Sequence, residues 1–312
     1  MKLIIQIPCY NEELTLPGTI AELPKHIDGV DEIEILIIND GSTDRTVEIA
    51  HELGVNHIVN IKVNSGLAHA FSVGIDACIQ LGADVIVNTD ADNQYNGADI
   101  AKLVKPIVDQ KADIVIGERP IDEIKDFSLR KKTLQHIGSW VVSIVSNIEV
   151  ADTTSGFRAY SREGALRINV INDFTYTLET IIQAGHSKIP MLSVPIRTNP
   201  KTRESRLFKG IGNYLQRSFP VIVRSFMFYQ PLKFFSIIGT FFLLAGIILG
   251  IRFLFYYISG TGSGHIQSLI LTTILTLIGI QTISLGLIAD IIATNRKLIE
   301  DIQYRIRKIR FK

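Results

Sequence analysis

The chain is poor in cysteine, in net charge and in the residues that mark low-complexity segments. Two cysteines among 312 residues are too few for a disulfide framework, and Cys9 and Cys78 stand in apolar surroundings, which predicts inert core thiols. Ten prolines, 23 glycines and 46% apolar residues exclude collagen-like and disordered chains. With 32 basic against 31 acidic residues, the overall charge predicts no nucleic-acid partner.

The near-zero net charge is an average over two parts of opposite sign. Residues 1–190 hold 16 Lys and Arg against 27 Asp and Glu, whereas residues 191–312 hold 16 against 4. An asymmetry of this kind indicates a membrane or a nucleic-acid partner. The mean hydropathy of +0.25 favours the membrane.

Two long stretches without charge lie in the basic part of the chain. Residues 234–251 and 266–289 carry no charged side chain, and at about 1.5 Å per residue each can cross roughly 30 Å of hydrocarbon. We therefore predict transmembrane helices at about 233–258 and 266–290, joined by a short polar turn. Basic residues concentrate on both outer flanks, so the positive-inside rule predicts a plasma-membrane hairpin with both termini in the cytoplasm.

The segments on either side of this hairpin are basic. Residues 208–232 mix aromatic and aliphatic side chains with basic ones, which is typical of helices in the membrane interface, although a helix packed on the N-terminal domain has the same pattern. Residues 292–312 are expected to form a basic cytoplasmic tail. The N-terminus does not resemble a secretory signal, because its first apolar run is short and is interrupted by Pro8.

Residues 1–207 alternate apolar runs of strand length with helical patterns. This alternation predicts βαβ units in a mostly parallel, Rossmann-like α/β sheet, whose ligands bind at the carboxyl ends of the strands. The predicted strands are 3–7, 34–38, 57–61, 84–88 and 113–117. The predicted helices are 13–23, 44–53, 66–81 and 97–110.

Acidic and aromatic side chains follow the first two predicted strands. The first strand leads into Tyr10 and Glu12, and the second leads into Asp40. A carboxylate at a strand end needs a partner, and it can accept hydrogen bonds from a nucleobase edge while Tyr10 offers a stacking face. Asp44, slightly further along, is explained as the N-cap of the next helix.

The fourth predicted strand ends in two carboxylates separated by one residue. Asp90 and Asp92 follow an apolar run and precede Gln94. Two carboxylates this close need a counter-charge once they are removed from water. A hard divalent cation supplies it through carboxylate and amide oxygens, and diphosphate oxygens can complete an octahedron. Taken alone, the motif is also compatible with an exposed acidic turn.

Together these motifs resemble the GT-A catalytic domain of family 2 glycosyltransferases, in the branch of the dolichyl-phosphate mannose synthases. The segments that carry the resemblance are PCYNEE (8–13), NDGSTD (39–44), NSGLAHA (64–70) and TDADNQ (89–94). The resemblance implies transfer of a hexose from a nucleotide sugar to a polyprenyl phosphate, with Mg²⁺ or Mn²⁺ held by Asp90, Asp92 and Gln94. The implied nucleotide-binding residues are Pro8, Tyr10, Glu12, Ile38, Asp40, Asp90 and Ala91.

Further stretches agree with the same family. Residues 152–158 (DTTSGFR) resemble a family segment that lines the sugar and acceptor side. Arg119 matches the arginine of a G-x-R motif, and Arg203 and Arg206 belong to a basic loop implied to cover the diphosphate; with Asp92, these are the implied catalytic residues. The residues implied on the sugar and acceptor side are Arg130, Lys131, Ser155, Gly156, Arg158 and Glu179.

The implied acceptor sets the expected mechanism. A phosphate monoester has its second pKa near about 6, so a polyprenyl phosphate is anionic at neutral pH and can attack the anomeric carbon without a general base. One displacement inverts that centre, and catalysis rests on alignment and on neutralising the departing diphosphate. If the acceptor were a hydroxyl of a glycolipid or polysaccharide, Glu179 could serve as base. Arg130 and Lys131 either attract the lipid phosphate or form a solvated helix face.

Three other classes of protein fit parts of the pattern less well. A processive polysaccharide synthase needs more membrane helices than one hairpin, a nucleotidyltransferase needs no anchor, and an inactive membrane scaffold would be expected to have lost part of the carboxylate cluster. The expected partners are a nucleotide sugar, a polyprenyl phosphate and the bilayer, and two helices leave surface on which a homo-oligomer could form. The sequence leaves open the sugar, the choice of UDP or GDP, the dolichyl or undecaprenyl lipid, and the metal.

Overall fold

The structure, a computed structural model, describes residues 1–120, 143, 146, 148, 152–170, 176–200, 220, 223–224 and 226–311. The chain divides into two units by its internal packing, residues 1–217 together with 301–312, and residues 218–300. The first unit contains the sheet and the strand-end motifs, whereas the second contains most of the two long apolar helices.

The first unit is built on a sheet of seven strands, counted among the described residues. They are β1 (Lys2–Cys9), β2 (Glu32–Asp40), β3 (His57–Ile61), β4 (Val85–Asn88), β5 (Ile114–Glu118), β6 (Arg158–Ser161) and β7 (Met191–Pro195). Their order is β3-β2-β1-β4-β6-β5-β7, and β6 runs antiparallel to both of its neighbours while the other pairs are parallel. The predicted α/β class with a mostly parallel sheet is therefore confirmed.

Helices cover both faces of this sheet, and most are shorter than predicted. Their bounds are α1 (Leu16–Ala21), α2 (Thr46–Glu52), α3 (Leu67–Gln80), α4 (Ile100–Val108), α5 (Arg162–Arg167) and α6 (Tyr176–His186). Pro17 stands in the first turn of α1, where its missing N–H costs no hydrogen bond. Before α4 the chain forms a single 3₁₀ turn at Gly97–Asp99, so the regular helix begins later than the sequence pattern predicts.

The core lies on both faces of the central strands. Leu3, Ile5 and Ile7 of β1 have no exposed surface, as expected for a parallel strand covered by helices on each side. Helix α3 approaches the sheet closely at Gly74, where a Cβ atom would lie 2.4 Å from Gln6 Oε1. Both cysteines are buried, and burial raises the pKa of each thiol above its ordinary value, in agreement with inert core residues.

The second unit is formed mainly by two long helices, α7 (Pro231–Ile258) and α8 (Ile266–Arg310), each long and apolar enough to cross a membrane. Glycines allow them to approach closely: a Cβ on Gly239 would lie 2.8 Å from the Gly279 carbonyl oxygen, and one on Gly246 would lie 2.8 Å from Thr276 Oγ1. Small residues at such contacts are typical of packed transmembrane helices. Helix α8 continues to Arg310, through residues that the sequence suggested as a separate tail.

The last turns of α8 belong to the first unit and are bonded to it by charged side chains. Arg307 donates through Nη1 to the Ile168 carbonyl oxygen at 2.7 Å, just beyond the end of α5, and through Nη2 to the carboxylate of Asp76 on α3. The Tyr304 hydroxyl donates to Glu163 Oε1 at 2.6 Å. The end of α8 is therefore a structural part of the unit that contains the sheet.

We expect Arg307→Ala to lower the thermal stability of the first unit. The change removes hydrogen bonds to backbone carbonyls and an ion pair from a side chain that is only 21% exposed, which corresponds to about 1–3 kcal/mol. Thermal unfolding of the detergent-purified protein measures the effect. Arg305→Ala is the matched control, because Arg305 is 71% exposed and pairs only with Asp301 one helical turn away. Equal midpoints for both variants would contradict a docked helix end.

Candidate active site

The strand-end motifs meet at one edge of the sheet. Strands β2, β1 and β4 are adjacent and parallel, so their carboxyl ends, and the turns that follow them, lie side by side. Asp40 ends β2, Tyr10 follows β1, and the turn with Asp90 and Asp92 follows β4. The topology thus brings together three of the segments that the sequence identified.

The turn after β4 presents two partly exposed carboxylates. Asp92 accepts hydrogen bonds from the Gln94 backbone N–H at 3.2 Å and from the Gln94 side-chain amide at 2.9 Å. Asp90 lies against Gly156, where a Cβ would be 3.1 and 3.2 Å from its two oxygens. Two carboxylates and an amide are donors suited to a hard divalent cation. Among the described residues, no group of three or more His, Cys, Asp or Glu could hold a metal ion.

A buried network of neutral polar groups lies next to this turn, between the end of β4 and the segment that leads into β6. Asn88, at the end of β4, donates through Nδ2 to the Gly156 carbonyl oxygen at 2.8 Å and to the Tyr176 hydroxyl at 2.9 Å, and it accepts from Gln6 at 2.9 Å. The Gly156 N–H donates to the Tyr95 hydroxyl at 3.0 Å. Asn88 and Tyr176 have no exposed surface, so these bonds are made away from water.

Burial raises the pKa values of the two tyrosines in this network, which are neutral at physiological pH in any case. Desolvation, together with the nearby Asp90 carboxylate, raises the pKa of Tyr95 to about 12. The same two causes raise the pKa of Tyr176 well above its ordinary value. Both phenols therefore keep their protons at neutral pH and act as hydrogen-bonding groups that hold Gly156 beside Asp90.

Arg119 is bound by a buried carboxylate. Its Nε and Nη2 donate to Asp152 at 2.6 and 2.9 Å, and Nη2 also donates to the Thr154 hydroxyl at 2.6 Å. Burial alone would raise the pKa of Asp152, but the Arg119 guanidinium outweighs it and the pKa lies below its ordinary value. Because its guanidinium binds both oxygens of Asp152, Arg119 fixes the segment implied to line the acceptor side. Its predicted catalytic role remains a prediction.

Among the described residues, Arg158 is the largest side chain without exposed surface. Its guanidinium donates to the carbonyl oxygens of Ser155 at 2.8 Å and Thr177 at 2.9 Å, and to the Thr180 hydroxyl at 2.7 Å. Ser155 is also fully buried. In this arrangement Arg158 holds the 152–157 segment against α6, and the predicted place of both side chains on the sugar and acceptor side stays a prediction. Glu179, also on α6, is only 7% exposed.

The residues predicted to bind the nucleoside lie around the ends of β1 and β2. Tyr10 is 41% exposed, whereas Pro8, Ile38 and Ala91 are buried beside it in the sheet and turn. Asp40 is 3% exposed, and its two oxygens accept the backbone N–H groups of Ser65 and Gly66 at 2.8 and 2.9 Å. Asp40 therefore fixes the chain at the start of α3, and its contact with a nucleobase stays a prediction.

Two other strand-end acids have partners within the protein. Glu12 is 7% exposed and accepts a hydrogen bond from the Thr15 hydroxyl at 2.7 Å. Asp44 stands one residue before Arg45, the N-cap of α2, so the predicted capping position is one residue early. Its carboxylate accepts the Thr46 backbone N–H at 3.0 Å and the Glu13 N–H at 3.2 Å. Burial opposes the effect, but these hydrogen bonds lower the pKa of Asp44.

Part of the predicted site lies outside the described residues. The residues concerned are Arg130, Lys131, Arg203 and Arg206. The sequence also missed functional candidates that the structure identifies: Asn88, Tyr95 and Tyr176 had no motif of their own. Asn88 offered one signal, since an amide at the end of a fully apolar strand needs buried partners.

The fold of this sheet is the GT-A fold of solved glycosyltransferase structures. The sheet matches that of glucosyl-3-phosphoglycerate synthase from Mycobacterium tuberculosis, solved with Mn²⁺, UDP-glucose and phosphoglyceric acid, with a TM-score of 0.56 at 18% identity, over 72% of this chain and 78% of that one. Residues 4–168 match the model of glycosyl transferase family 2. The chain belongs to that family and is a glycosyltransferase.

Curated relatives point to the same branch. The UDP-N-acetylglucosamine–dolichyl-phosphate N-acetylglucosaminyltransferase of Methanococcus voltae is 30% identical over 216 residues, which cover 62% of this chain and 83% of that protein. The dolichol-phosphate mannosyltransferase of Pyrococcus furiosus is 27% identical over 270 residues, covering 83% and 73%. The suspected resemblance to polyprenyl-phosphate glycosyltransferases of family 2 is thereby confirmed.

We expect Gly156→Ala to displace the Asp90 carboxylate. The new Cβ would lie 2.8 Å from the hydroxyl of fully buried Tyr176 and 3.1 and 3.2 Å from the two Asp90 oxygens, so the partly exposed carboxylate is the group that must shift. Titration with a nucleoside diphosphate in the presence of Mn²⁺ should show weakened binding. Gly18→Ala is the control, because its Cβ would make only an ordinary contact at 3.6 Å. Unchanged binding in Gly156→Ala would show that Asp90 is not held by this contact.

We expect Asp152→Asn to cost about 3–5 kcal/mol of stability at neutral pH, because buried Arg119 loses its charged partner. The lowered pKa of Asp152 means that the carboxylate's contribution is complete above about pH 4 and is lost as the pH falls through the folded-state pKa. Thermal midpoints between pH 7 and pH 3 should therefore converge for the two proteins. A difference in thermal midpoint that stays constant with pH would contradict the stabilising role of the Asp152 carboxylate. Asp109→Asn is the control, and it should change the midpoint little because Asp109 belongs to a more exposed ion pair.

Proposed function

We propose that this protein transfers a hexose from UDP- or GDP-hexose to a polyprenyl phosphate, dolichyl or undecaprenyl, at the cytoplasmic face of the membrane. The observation that carries the proposal is that one chain contains both an acidic turn and two long apolar helices. The turn is suited to a divalent cation bound to a diphosphate, and the helices are long and apolar enough to span a bilayer. A lipid acceptor cannot leave the bilayer cheaply, since each buried CH₂ is worth about 0.8 kcal/mol. The enzyme must therefore work at the membrane surface.

The names of the relatives support the acceptor. The proteins from Methanococcus voltae and Pyrococcus furiosus are named for dolichyl or dolichol phosphate, and a polyprenol monophosphomannose synthase from Mycolicibacterium smegmatis is 26% identical over 204 residues. These names differ in the sugar that is transferred. They support a polyprenyl phosphate acceptor for this chain more strongly than any one donor.

Asp90, Asp92 and Gln94 would hold Mg²⁺ or Mn²⁺, which would supply positive charge against the departing diphosphate. The protein's own contribution is to keep both carboxylates in place. Asp90 is set by Gly156 and the buried tyrosines, and Asp92 by the backbone and side chain of Gln94. Arg203 and Arg206 would meet the diphosphate from the basic loop, a role that rests on the sequence alone.

The acceptor phosphate would attack the anomeric carbon directly, because it is already anionic at neutral pH. One displacement then converts an α-linked donor into a β-linked lipid product. The burial of Glu179, only 7% exposed, favours this reaction over one that needs Glu179 as a base for a hydroxyl acceptor. Arg130 and Lys131 would attract the lipid phosphate, and Arg119 with Asp152 would hold the acceptor-side segment rigid.

The division of the chain into units supports a membrane hairpin. Residues 1–217 and 301–312 belong to one folded unit, and one folded unit cannot lie on both sides of a bilayer. The apolar helices between them must then enter and leave the membrane on the same side. With basic residues on both flanks, that side is proposed to be the cytoplasm.

The first experiment incubates detergent-purified protein with radiolabelled UDP- and GDP-sugars, Mg²⁺ or Mn²⁺ and short polyprenyl phosphates. We expect label to move into the organic phase, with loss of transfer in EDTA. Asp92→Asn should lower the rate by at least about 100-fold, the scale seen when one charge-stabilising group is removed. The Asp→Asn control is Asp28→Asn, at an exposed surface position.

Two outcomes would contradict the proposal in different ways. Label that moves only to a sugar or glycolipid hydroxyl would keep the glycosyltransferase but replace the acceptor, and Glu179→Gln would then test the base. Absence of nucleotide binding with every metal would favour an inactive membrane scaffold.

A further inference from the structure

The turn that carries Asp92 and Gln94 is held on two sides by residues outside every recognised motif. On one side lies the end of α1, where the Thr19 hydroxyl donates to the Ala91 carbonyl oxygen at 3.0 Å. On the other side lies the segment after β7, where the Asn199 backbone N–H donates to the Gln94 carbonyl oxygen at 2.9 Å. The backbone of the metal-binding turn is therefore fixed by both neighbours.

Glu22, directly after α1, joins the two sides through its carboxylate. Oε1 accepts a hydrogen bond from the Asn93 side-chain amide at 3.0 Å, and Oε2 accepts one from the Asn199 side-chain amide at 2.7 Å. The Asn199 amide also donates to the Asn93 carbonyl oxygen at 3.2 Å. At Gly97, a Cβ would lie 2.3 Å from the Glu22 carbonyl oxygen, so the chain leaving the turn packs directly on the end of α1.

Asn93 lies between Asp92 and Gln94 with a left-handed backbone, at φ 55°. For a residue other than glycine this conformation costs on the order of 1–2 kcal/mol, and asparagine is one of the residues that tolerate it. The hydrogen bond from Asn93 to Glu22 holds the residue in this conformation. The direction of the side chains on either side of Asn93 thus depends on a carboxylate outside the site.

A second set of bonds fixes the same segment further along. The Arg197 guanidinium and backbone N–H donate to Asp99, which has no exposed surface, at 2.8 and 2.7 Å. The Asn96 N–H donates to the Arg197 carbonyl oxygen at 3.3 Å. Hydrogen bonds to this buried carboxylate, outweighing the effect of its burial, lower the pKa of Asp99. The strand-end turn and the 196–199 segment therefore move as one piece.

We propose that Glu22, with Asn93 and Asn199, positions the Asp92–Gln94 turn for a divalent cation and its nucleoside diphosphate. The proposal rests on the proposed function, since it concerns the same site. Glu22 is a positioning residue, because both of its oxygens accept hydrogen bonds from amides of the protein. It would act on the cation only by fixing the conformation of the turn. A carboxylate suits this place, since it accepts two hydrogen bonds and offers no donor that would oppose them.

The test titrates UDP and GDP into the purified full-length protein, once with Mn²⁺ and once with EDTA. We expect Glu22→Ala to weaken the Mn²⁺-dependent affinity about 10-fold or more, as loss of a group that orients metal ligands commonly does. The Mn²⁺ concentration needed for half-saturation should rise with it. Affinity in EDTA should fall far less, because the predicted nucleoside contacts of Tyr10 and Asp40 lie outside this turn.

A reciprocal exchange tests the hydrogen bond itself. Glu22→Gln alone turns an amide toward one of the two amide donors, and Asn93→Asp alone places two carboxylates together. In the double variant Glu22→Gln with Asn93→Asp, the new amide can donate to the new carboxylate while its oxygen still accepts from Asn199. We expect both single variants to lose Mn²⁺-dependent affinity and the double variant to recover most of it.

Glu52→Ala and Glu52→Gln are the matched controls, because Glu52 is an exposed carboxylate on α2 that pairs with Arg45. Thermal midpoints identify any variant that fails to fold. In that case the comparison of Glu22→Gln and Asn93→Asp with their double variant tests the positioning role. Equal losses in Mn²⁺ and EDTA, no loss at all, or a double variant without recovery would overturn the positioning role. If the wild-type protein shows no metal-dependent binding of either nucleotide, the proposed function fails and the positioning role fails with it.

Discussion

The catalytic unit depends on the hydrogen bond between the Asn88 amide and the Gly156 carbonyl oxygen. Asn88 ends β4, and Gly156 leads into the antiparallel strand β6, so the bond joins the half implied to bind the nucleotide to the half implied to meet the acceptor. The absence of a side chain at Gly156 lets Asp90 lie beside it. Tyr95 and Tyr176 complete the arrangement as neutral phenols, and no charge is needed to hold the two halves together.

The carboxylates at this edge of the sheet fall into two groups. Some form ion pairs with arginines of the protein, and others remain accessible to a ligand. Arg119 neutralises buried Asp152, and Arg197, itself largely exposed, neutralises buried Asp99. Asp90 and Asp92 remain partly exposed at the mouth of the site. The unit therefore carries negative charge where a cation and a diphosphate would meet, and its internal ion pairs keep that edge rigid.

The sequence predicted β1 to β5, because a strand covered on both faces is a largely apolar run, as in Val85–Val87. It missed β7, which pairs in parallel with β5 and has partly exposed and exposed positions. It did not predict β6, in which Arg158 stands at a fully buried position that arginine rarely occupies without a charged partner. The carboxylates of the acidic turn were visible as a local motif. The hydrogen bonds that hold this turn could not be predicted, because they join residues far apart in the chain. Asn88 and Tyr176 lie 88 residues apart, Glu22 and Asn199 lie 177 apart, and no periodic pattern connects them.

The docking of the end of α8 has a consequence for the order in which the protein is made. Asp76 and Glu163 emerge from the ribosome long before Arg307 and Tyr304, their partners, which follow both apolar helices in the chain. During translation the catalytic unit must wait for these bonds until the hydrophobic segment has been synthesised. The unit that contains the sheet therefore completes its folding only after both apolar helices have been synthesised, although most of its residues precede them in the chain.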